Sequence, residues 1–201
     1  FFFANKTDAV NFALGLQTLG NTRSVVEDPD GILVVETGLT IQAAVDAADE
    51  ADTILVGSGT FTEDVTISDG LAVTIQGAGD TTTIVAGQIT SSGILNGMLK
   101  LEDLGINAVG KQYGFYATNS STAFAGDIVL DGVAIENATQ DGFAYIRAGN
   151  GGTPSLTDTV GDIQILDSAF DNNGTATSGS NGRGDVLLYG YNQDLTIDGS
   201  S

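Results

Sequence analysis

Three acidic side chains occupy the same position in a five-residue motif that recurs along the chain. Glu102, Asp131 and Asp198 each stand fourth in a five-residue run of alternating apolar residues. If these runs stack as neighbouring strands, the three carboxylates form a vertical row on the outer surface. Such a row is either a set of solvated turn residues or a calcium ladder, in which the cation offsets the repulsion between stacked carboxylates.

A second oxygen-rich stretch covers residues 167–174. Its spacing matches neither the EF-hand loop nor the glycine-rich nonapeptide calcium repeat. Calcium is therefore a candidate cofactor that no sequence motif signals. The candidate metal ligands are Glu102, Asp131, Asp167, Asp171 and Asp198.

Aromatic residues recur in three segments that hold equivalent places in successive repeats, at residues 112–116, 141–145 and 185–191. Because successive strand residues alternate between two faces, we expect about half of these rings to stack in the core. The outward rings are either ordinary surface tyrosines or, with an arginine beside them, a platform for sugar rings. The candidate glycan contacts are Tyr113, Tyr116, Tyr145, Arg147, Tyr189 and Tyr191.

The residue types present give little support for a catalytic role. The chain has no histidine, which excludes imidazole acid–base catalysis and removes the commonest metal ligand. A lyase must neutralise a uronate carboxylate, and only six lysines and arginines are scattered along the chain. An enzyme would be indicated if Lys111, Arg147 and Asp131 converged in one groove. We assign no catalytic residue and favour a role other than catalysis.

These candidates are positioned by the repeat itself. The first residues of the five runs are separated by 26, 29, 35 and 32 residues. A period in this range is typical of stacked-coil proteins, in which each repeat buries its apolar face against the next. The runs are residues 73–77, 99–103, 128–132, 163–167 and 195–199.

Shorter elements are predicted before the repeats begin. Helical spacing of apolar residues predicts one helix over residues 8–19 and a second over residues 40–51, with Thr40 as the N-cap of the second. A short strand is expected at residues 32–35. Residues 52–67 are expected to form two strands around a Gly-Ser-Gly turn.

Residues 40–48, followed by residues 52–56 and 59–65, resemble the opening of the pectin-lyase-like superfamily of right-handed parallel β-helix proteins. In that family a short amphipathic helix caps the open end of the coil. The resemblance implies an all-β fold, a right-handed parallel β-helix solenoid with an N-terminal α-helical cap, over residues 39–201. Residues 1–38 form a preceding helix and linker segment. The superfamily includes lyases, hydrolases, esterases, epimerases, tailspikes and adhesins, so the resemblance specifies fold and not activity.

Composition limits the partners. The chain carries 26 acidic and 6 basic residues, a net charge of −20 at pH 7, so it will be repelled by nucleic acid and by anionic membranes. No apolar run approaches the roughly 18 residues that span a bilayer. The chain has no cysteine, which excludes disulfides and thiolate metal sites.

The last repeat starts a coil at Leu195 and stops at its first turn, so we expect a coil truncated partway and an uncovered edge. Self-association or a neighbouring domain is expected at the open ends, with polysaccharide as a further partner. The sequence thus predicts a structural and adhesive rod segment of an exported prokaryotic surface or filament-forming protein, outside the cell. The alternatives are a lyase or epimerase acting on acidic polysaccharide, and a trimeric tailspike-like fibre.

Overall fold

The chain folds into parallel β-sheets that wind around a shared apolar core. A computed structural model describes residues 32–35, 38–68, 70–92, 97–119, 126–147, 161–174, 184–191 and 193–201. The helix predicted over residues 8–19 lies outside these ranges, as does almost all of the segment assigned to residues 1–38.

Seventeen strands, numbered in chain order, form three sheets in this part of the chain. Sheet 1 contains, in spatial order, β1 (Ile32–Val35), β2 (Thr53–Val56), β5 (Thr74–Gln76), β8 (Met98–Glu102), β11 (Asp127–Asp131), β14 (Ile163–Leu166) and β17 (Leu195–Asp198). Sheet 2 contains β3 (Gly59–Phe61), β6 (Thr83–Val85), β9 (Gly105–Asn107), β12 (Ala134–Glu136) and β15 (Ala169–Asp171). Sheet 3 contains β4 (Val65–Ile67), β7 (Ile89–Ser92), β10 (Tyr113–Asn119), β13 (Asp141–Arg147) and β16 (Gly184–Tyr189).

The order of the strands traces a coil. From β2 onward the chain visits sheets 1, 2 and 3 in turn, and each strand pairs in parallel with the strand three places further along the chain. Five coils run from β2 to β16, and β17 returns to sheet 1. Residues 52–67 contain three strands rather than the predicted two, because the chain turns into a new sheet after each short strand. The predicted parallel β-helix solenoid is confirmed.

The recurring motif stacks in sheet 1 in the register that is predicted when the five runs are aligned on their first residues. Its first residues form one column, in which Leu99 pairs with Ile128, Ile128 with Ile163, and Ile163 with Leu195. The third residues form a parallel column two positions on. Both columns point into the core, and Leu99 and Ile128 are completely buried. Because successive side chains alternate between the two faces of a strand, these two columns form one apolar wall of the coil.

Aromatic rings fill the core beneath sheet 3. Phe115 and Phe143 are adjacent in register and fully buried, and their rings stack at 5.2 Å with an interplanar angle of 12°. Parallel, offset rings of this kind contribute beyond the area they bury. The expected ladder of inward aromatic residues is present at this step.

The last residues of successive motifs lie in turns that stack as a column, in which left-handed Asp and Gly residues alternate. The φ angles are 51° at Asp103, 64° at Gly132, 45° at Asp167 and 64° at Gly199. A Cβ atom added at Gly132 would lie 2.7 Å from Asp103 Oδ1, and one added at Gly199 would lie 2.1 Å from Asp167 Oδ1. Each aspartate side chain thus occupies the space above its own turn, which requires glycine in the next coil.

Helix α1 (Ile41–Ala47) packs against β1 and against β2 and β4 of the first coil. Ile41, Ala44 and Val45 are buried in the core cluster, as the predicted apolar stripe requires. The Thr40 hydroxyl accepts a hydrogen bond from Ala43 N at 3.1 Å, which confirms the predicted N-cap.

The carboxyl end of α1 differs from the prediction, since the helix ends at Ala47 rather than at residue 51. The Asp52 carboxylate accepts a hydrogen bond from Asp49 N at 2.8 Å, and Ala51 takes a φ of 70°. An aspartate that bonds nearby backbone competes with helix formation, so these side chains convert the last predicted turn into a loop. Among the described residues, no helix is long and apolar enough to cross a bilayer.

Candidate functional site

The acidic row lies on the outer face of sheet 1. Glu102 and Asp131 are register partners in adjacent coils, so they are adjacent in the row as predicted. Leu166 follows Asp131 in the next coil and separates it from Asp198. The row therefore contains one pair of stacked carboxylates and one isolated carboxylate. Like charges directly opposite each other destabilise a sheet, so the pair needs a counter-charge.

Lys100 supplies that counter-charge. Its Nζ lies 2.8 Å from Asp131 Oδ2 and 3.3 Å from Glu102 Oε1, with the three side chains 20–32% exposed. Burial disfavours the ammonium form, but the hydrogen bond to Asp131 and the charge of Glu102 outweigh it and hold the pKa of Lys100 above its ordinary value. Sequence reasoning missed this role, although Lys100 and Glu102 stand two residues apart and so share one face of β8.

The remaining calcium candidates lie apart from this pair. Asp167 forms the left-handed turn beside Gly199, Asp171 is exposed at the end of β15, and Asp198 is exposed on β17. Among the described residues, no three or more acidic side chains are grouped so as to hold a metal ion. Calcium binding by these residues stays a prediction.

A second lysine is also committed to an ion pair. Lys111 Nζ lies 2.6 Å from Asp64 Oδ2, and the other oxygen of Asp64 accepts a hydrogen bond from Gln88 N at 3.0 Å. The bond from Lys111 is the main reason why the pKa of Asp64 lies below its ordinary value. The two bonds to Asp64 connect the turns before β4, β7 and β10, which belong to three successive coils.

The cations and the acid that would mark an enzyme do not converge. Lys111 precedes β10, whereas Arg147 ends β13, in register with the last residue of β10. The length of β10, about 20 Å, therefore separates their backbones. Asp131 lies on a different sheet and is bonded to Lys100. The side chain of Arg147 and all of Lys6, Arg23 and Arg183 lie outside the described residues.

Two of the predicted glycan contacts are part of the core wall. Tyr145 is completely buried in the core cluster, and its ring meets that of Tyr191 edge-on at 5.8 Å and 73°. The Tyr191 hydroxyl accepts a hydrogen bond from Ile163 N at 2.8 Å and donates one to Asp194 O. Burial is the main cause that raises the pKa of Tyr191 to about 12. The geometry of Tyr145 and Tyr191 gives both a packing role.

Three other tyrosines lie toward the outside of sheet 3. Tyr113 and Tyr116 stack on each other at 5.0 Å and 15°, although residues three apart in a strand normally face opposite ways. Gly114 explains this, because a Cβ there would lie 2.2 Å from the buried Ile135 side chain. Gly114 and Phe115 thus both face inward, which leaves Tyr113 and Tyr116 on the outer side. Tyr189, on β16, is 58% exposed.

A further polar contact between coils was not predicted. Asn137 Nδ2 donates to Asn107 Oδ1 at 3.2 Å, and Asn172 Nδ2 donates to Asn137 Oδ1 at 2.6 Å. Asn137 and Asn172 take left-handed φ angles of 64° and 53°. The available signal was an asparagine at or just after the end of the second strand in three successive coils.

The described outer surface thus offers tyrosine rings and carboxylates, while both described lysine side chains are held in ion pairs. Such a surface can stack sugar rings or pair with cations, and it presents no clustered cations to hold a uronate. A comparison with protein-family models, curated proteins and solved structures finds no match to this chain.

Proposed function

We propose that this chain is a structural and adhesive rod segment of an exported prokaryotic surface or filament-forming protein, which assembles through the ends of its coil. The observation that carries the proposal is the continuity of its interior. Apolar columns in sheet 1 run without interruption through successive coils, in one register. A solenoid of this kind is quasi-one-dimensional, since each coil contacts only its neighbours, and it extends by adding coils.

The links between coils favour a load-bearing role. Lys100 and Lys111 both bridge different coils, and so do the side chains of Asn107, Asn137 and Asn172. These contacts resist the separation of one coil from the next. In this arrangement the charged groups stabilise the wall rather than prepare a site for chemistry.

The carboxyl-terminal face of the described coils, formed by β17, is the surface through which we propose assembly. Leu195 and Ile197 are 43% and 54% exposed, whereas their column partners Ile163 and Ile165 are each 1% exposed. Both side chains continue the inward-facing columns of sheet 1, and β17 is the last strand of that sheet among the described residues. Burying them beneath a neighbouring domain or a second copy would remove apolar area from water.

The adhesive part of the proposal is supported by the tyrosines on the outer side of sheet 3. The stacked pair of Tyr113 and Tyr116 is partly accessible, and Tyr189 is well exposed. Aromatic faces beside polar groups suit neutral sugar rings, which bring apolar C–H faces and no charge.

Sedimentation velocity at raised ionic strength tests assembly, because salt screens the repulsion between chains of charge −20. We expect the wild type to associate as its concentration rises, and Ile197→Asp to stay a single chain. Thr196→Asp is the matched control, since it adds the same charge on the outward side of the same strand and should associate like the wild type. A wild type that stays single at every concentration, or two variants that behave alike, would refute assembly through this face. Release of unsaturated products from a polyuronate would instead establish the lyase alternative.

A further inference from the structure

The dipeptide Asn173-Gly174, shortly after β15, has the sequence that deamidates most readily in proteins. A glycine has no side chain to hinder the approach of its backbone nitrogen to the preceding side-chain amide. In that reaction the Gly174 nitrogen bonds to Asn173 Cγ and loses its proton, and the Cγ–Nδ2 bond breaks to release ammonia. Water then opens the succinimide ring, at one carbonyl to give aspartate and at the other to give isoaspartate. The reaction needs no reagent other than water.

Hydrogen bonds to the preceding coil fix both ends of the Asn173 amide. Its Oδ1 accepts a hydrogen bond from Ala138 N at 3.0 Å, and its Nδ2 donates to Ile135 O at 3.0 Å. Nδ2 also donates to Asp185 Oδ1 at 3.4 Å. Ala138 and Ile135 are 0% and 1% exposed. Movement of the amide toward Gly174 would therefore break its bonds to the backbone of two buried residues.

The attacking nitrogen is held as well. Gly174 N donates to Ala138 O at 3.0 Å, and Gly174 takes a left-handed φ of 74°. This hydrogen bond must break before the nitrogen can lose its proton and attack. Asn173 and Gly174 thus bond to both backbone polar groups of Ala138, one through a side chain and the other through the main chain. The two reacting groups can meet only when this contact between coils opens.

Neither product of the reaction can make the contacts of asparagine. Aspartate at residue 173 has no N–H to donate to Ile135 O, and its charge would lie beside the carboxylate of Asp185. Isoaspartate adds a methylene group to the main chain between residues 173 and 174, which displaces Gly174 N from Ala138 O. Either product therefore weakens the contact between the two coils.

We propose that Asn173 is a deamidation site that the folded coil keeps closed. It reacts only when the contact with the preceding coil opens, and the product then hinders the coil from closing again. The modification thereby converts a transient opening into a lasting one, whatever the chain binds or assembles with.

Peptide mapping by mass spectrometry measures the rate at Asn173 in the wild type, aged at mildly alkaline pH with and without denaturing guanidinium chloride. We expect the rate to be at least about tenfold lower in the folded chain, which corresponds to an opening free energy of about 1.4 kcal/mol. The Asn-Gly pairs at residues 96–97, 150–151 and 181–182 are internal standards, which should react as fast as residues 173–174 in the denaturant. Hydrogen exchange of the Gly174 amide should also be slowed in the folded chain. An Asn173 that reacts equally fast with and without denaturant, or an unprotected Gly174 amide, would overturn the proposal.

Asn173→Asp encodes one product directly and tests its effect on the coil. We expect its melting temperature to fall by about 4 °C or more, because a donor is lost and a charge is added beside Asp185. Gln164→Glu is the matched control, since it exchanges an amide for a carboxylate on the outward side of β14 in the same coil, and it should lower the melting temperature by less than about 2 °C. A shift for Asn173→Asp no larger than that of the control would show that the coil closes normally after deamidation, and would overturn the proposal. An Asn173→Asp chain that fails to fold beside a folded control is the expected result in a stronger form, and the rates at Asn173 are measured on the wild type in either case.

Discussion

Replacement of Lys100 by methionine should expose the repulsion that this residue suppresses. Methionine keeps the apolar stem of the side chain but removes both ion pairs, at 2.8 Å to Asp131 and 3.3 Å to Glu102. Partly exposed ion pairs contribute about 0.2–1 kcal/mol each. Glu102 and Asp131 are then left opposite each other on adjacent strands about 4.8 Å apart, where like charges are destabilising by a similar amount. We expect a loss of about 1–2 kcal/mol in the free energy of unfolding.

A double-mutant cycle separates this explanation from a general loss of stability. In the wild type, Asp131→Asn should destabilise the fold, because it weakens the bond to Lys100. In the Lys100→Met background the same change should stabilise the fold, because it removes one of the two repelling charges. Asp198→Asn, in the same column but two coils away, should change stability by less than about 0.5 kcal/mol in both backgrounds.

Urea denaturation followed by far-ultraviolet circular dichroism measures all of these changes. The effect of Lys100→Met should shrink in high salt, which screens partly exposed charges. Because the pKa of Lys100 is raised in the folded chain, its contribution should be complete below pH 10.5 and disappear as the pH rises through the folded value. Equal effects of Asp131→Asn in the two backgrounds would refute the reasoning, since Lys100 would then have no coupling to that carboxylate.

Two further predictions concern the wall of the coil. Tyr191 has a pKa raised from 10 to about 12, so the stability it provides should be complete below pH 10 and lost as the pH rises toward 12. Tyr191→Phe should remove this loss of stability at alkaline pH. At neutral pH it should cost about 1 kcal/mol in the free energy of unfolding, because the hydrogen bonds of the hydroxyl are lost. A tyrosinate absorbance of the wild type that titrates near pH 10 for every tyrosine would contradict this. Gly132→Ala should destabilise the fold by about 2 kcal/mol or more, because it combines a left-handed φ of 64° with a Cβ 2.7 Å from Asp103 Oδ1. Gly110→Ala, at a φ of 77° with no atom within 4 Å of the added Cβ, carries only the backbone strain and should cost less in a thermal melt; equal losses would show that the Asp–Gly contact does not matter.

Local patterns predicted the elements well wherever one interaction dominated. The helix began at its predicted N-cap, because the Thr40 hydroxyl and the apolar stripe act over a few residues. Its end was wrong because the turn formed by Asp49 and Asp52 competes with the helix and is not visible in apolar spacing. The orientation of Tyr113 could not be predicted either, since Gly114 interrupts the alternation to pack against a residue of another strand.

The sequence by itself determined the coil, its period and the register of sheet 1, because apolar side chains at alternating positions must all reach the same core and few arrangements allow this. Glu102 and Asp131 could be placed side by side for the same reason. Only the tertiary structure decided which counter-charge these acids meet, because it places Lys100 Nζ against both carboxylates. It also decided that the side chain of Gln42 bonds to both the N–H and the C=O of Thr66. Polar side chains on the outer wall gain little from any one neighbour, so their partners depend on distances between coils that no local pattern records.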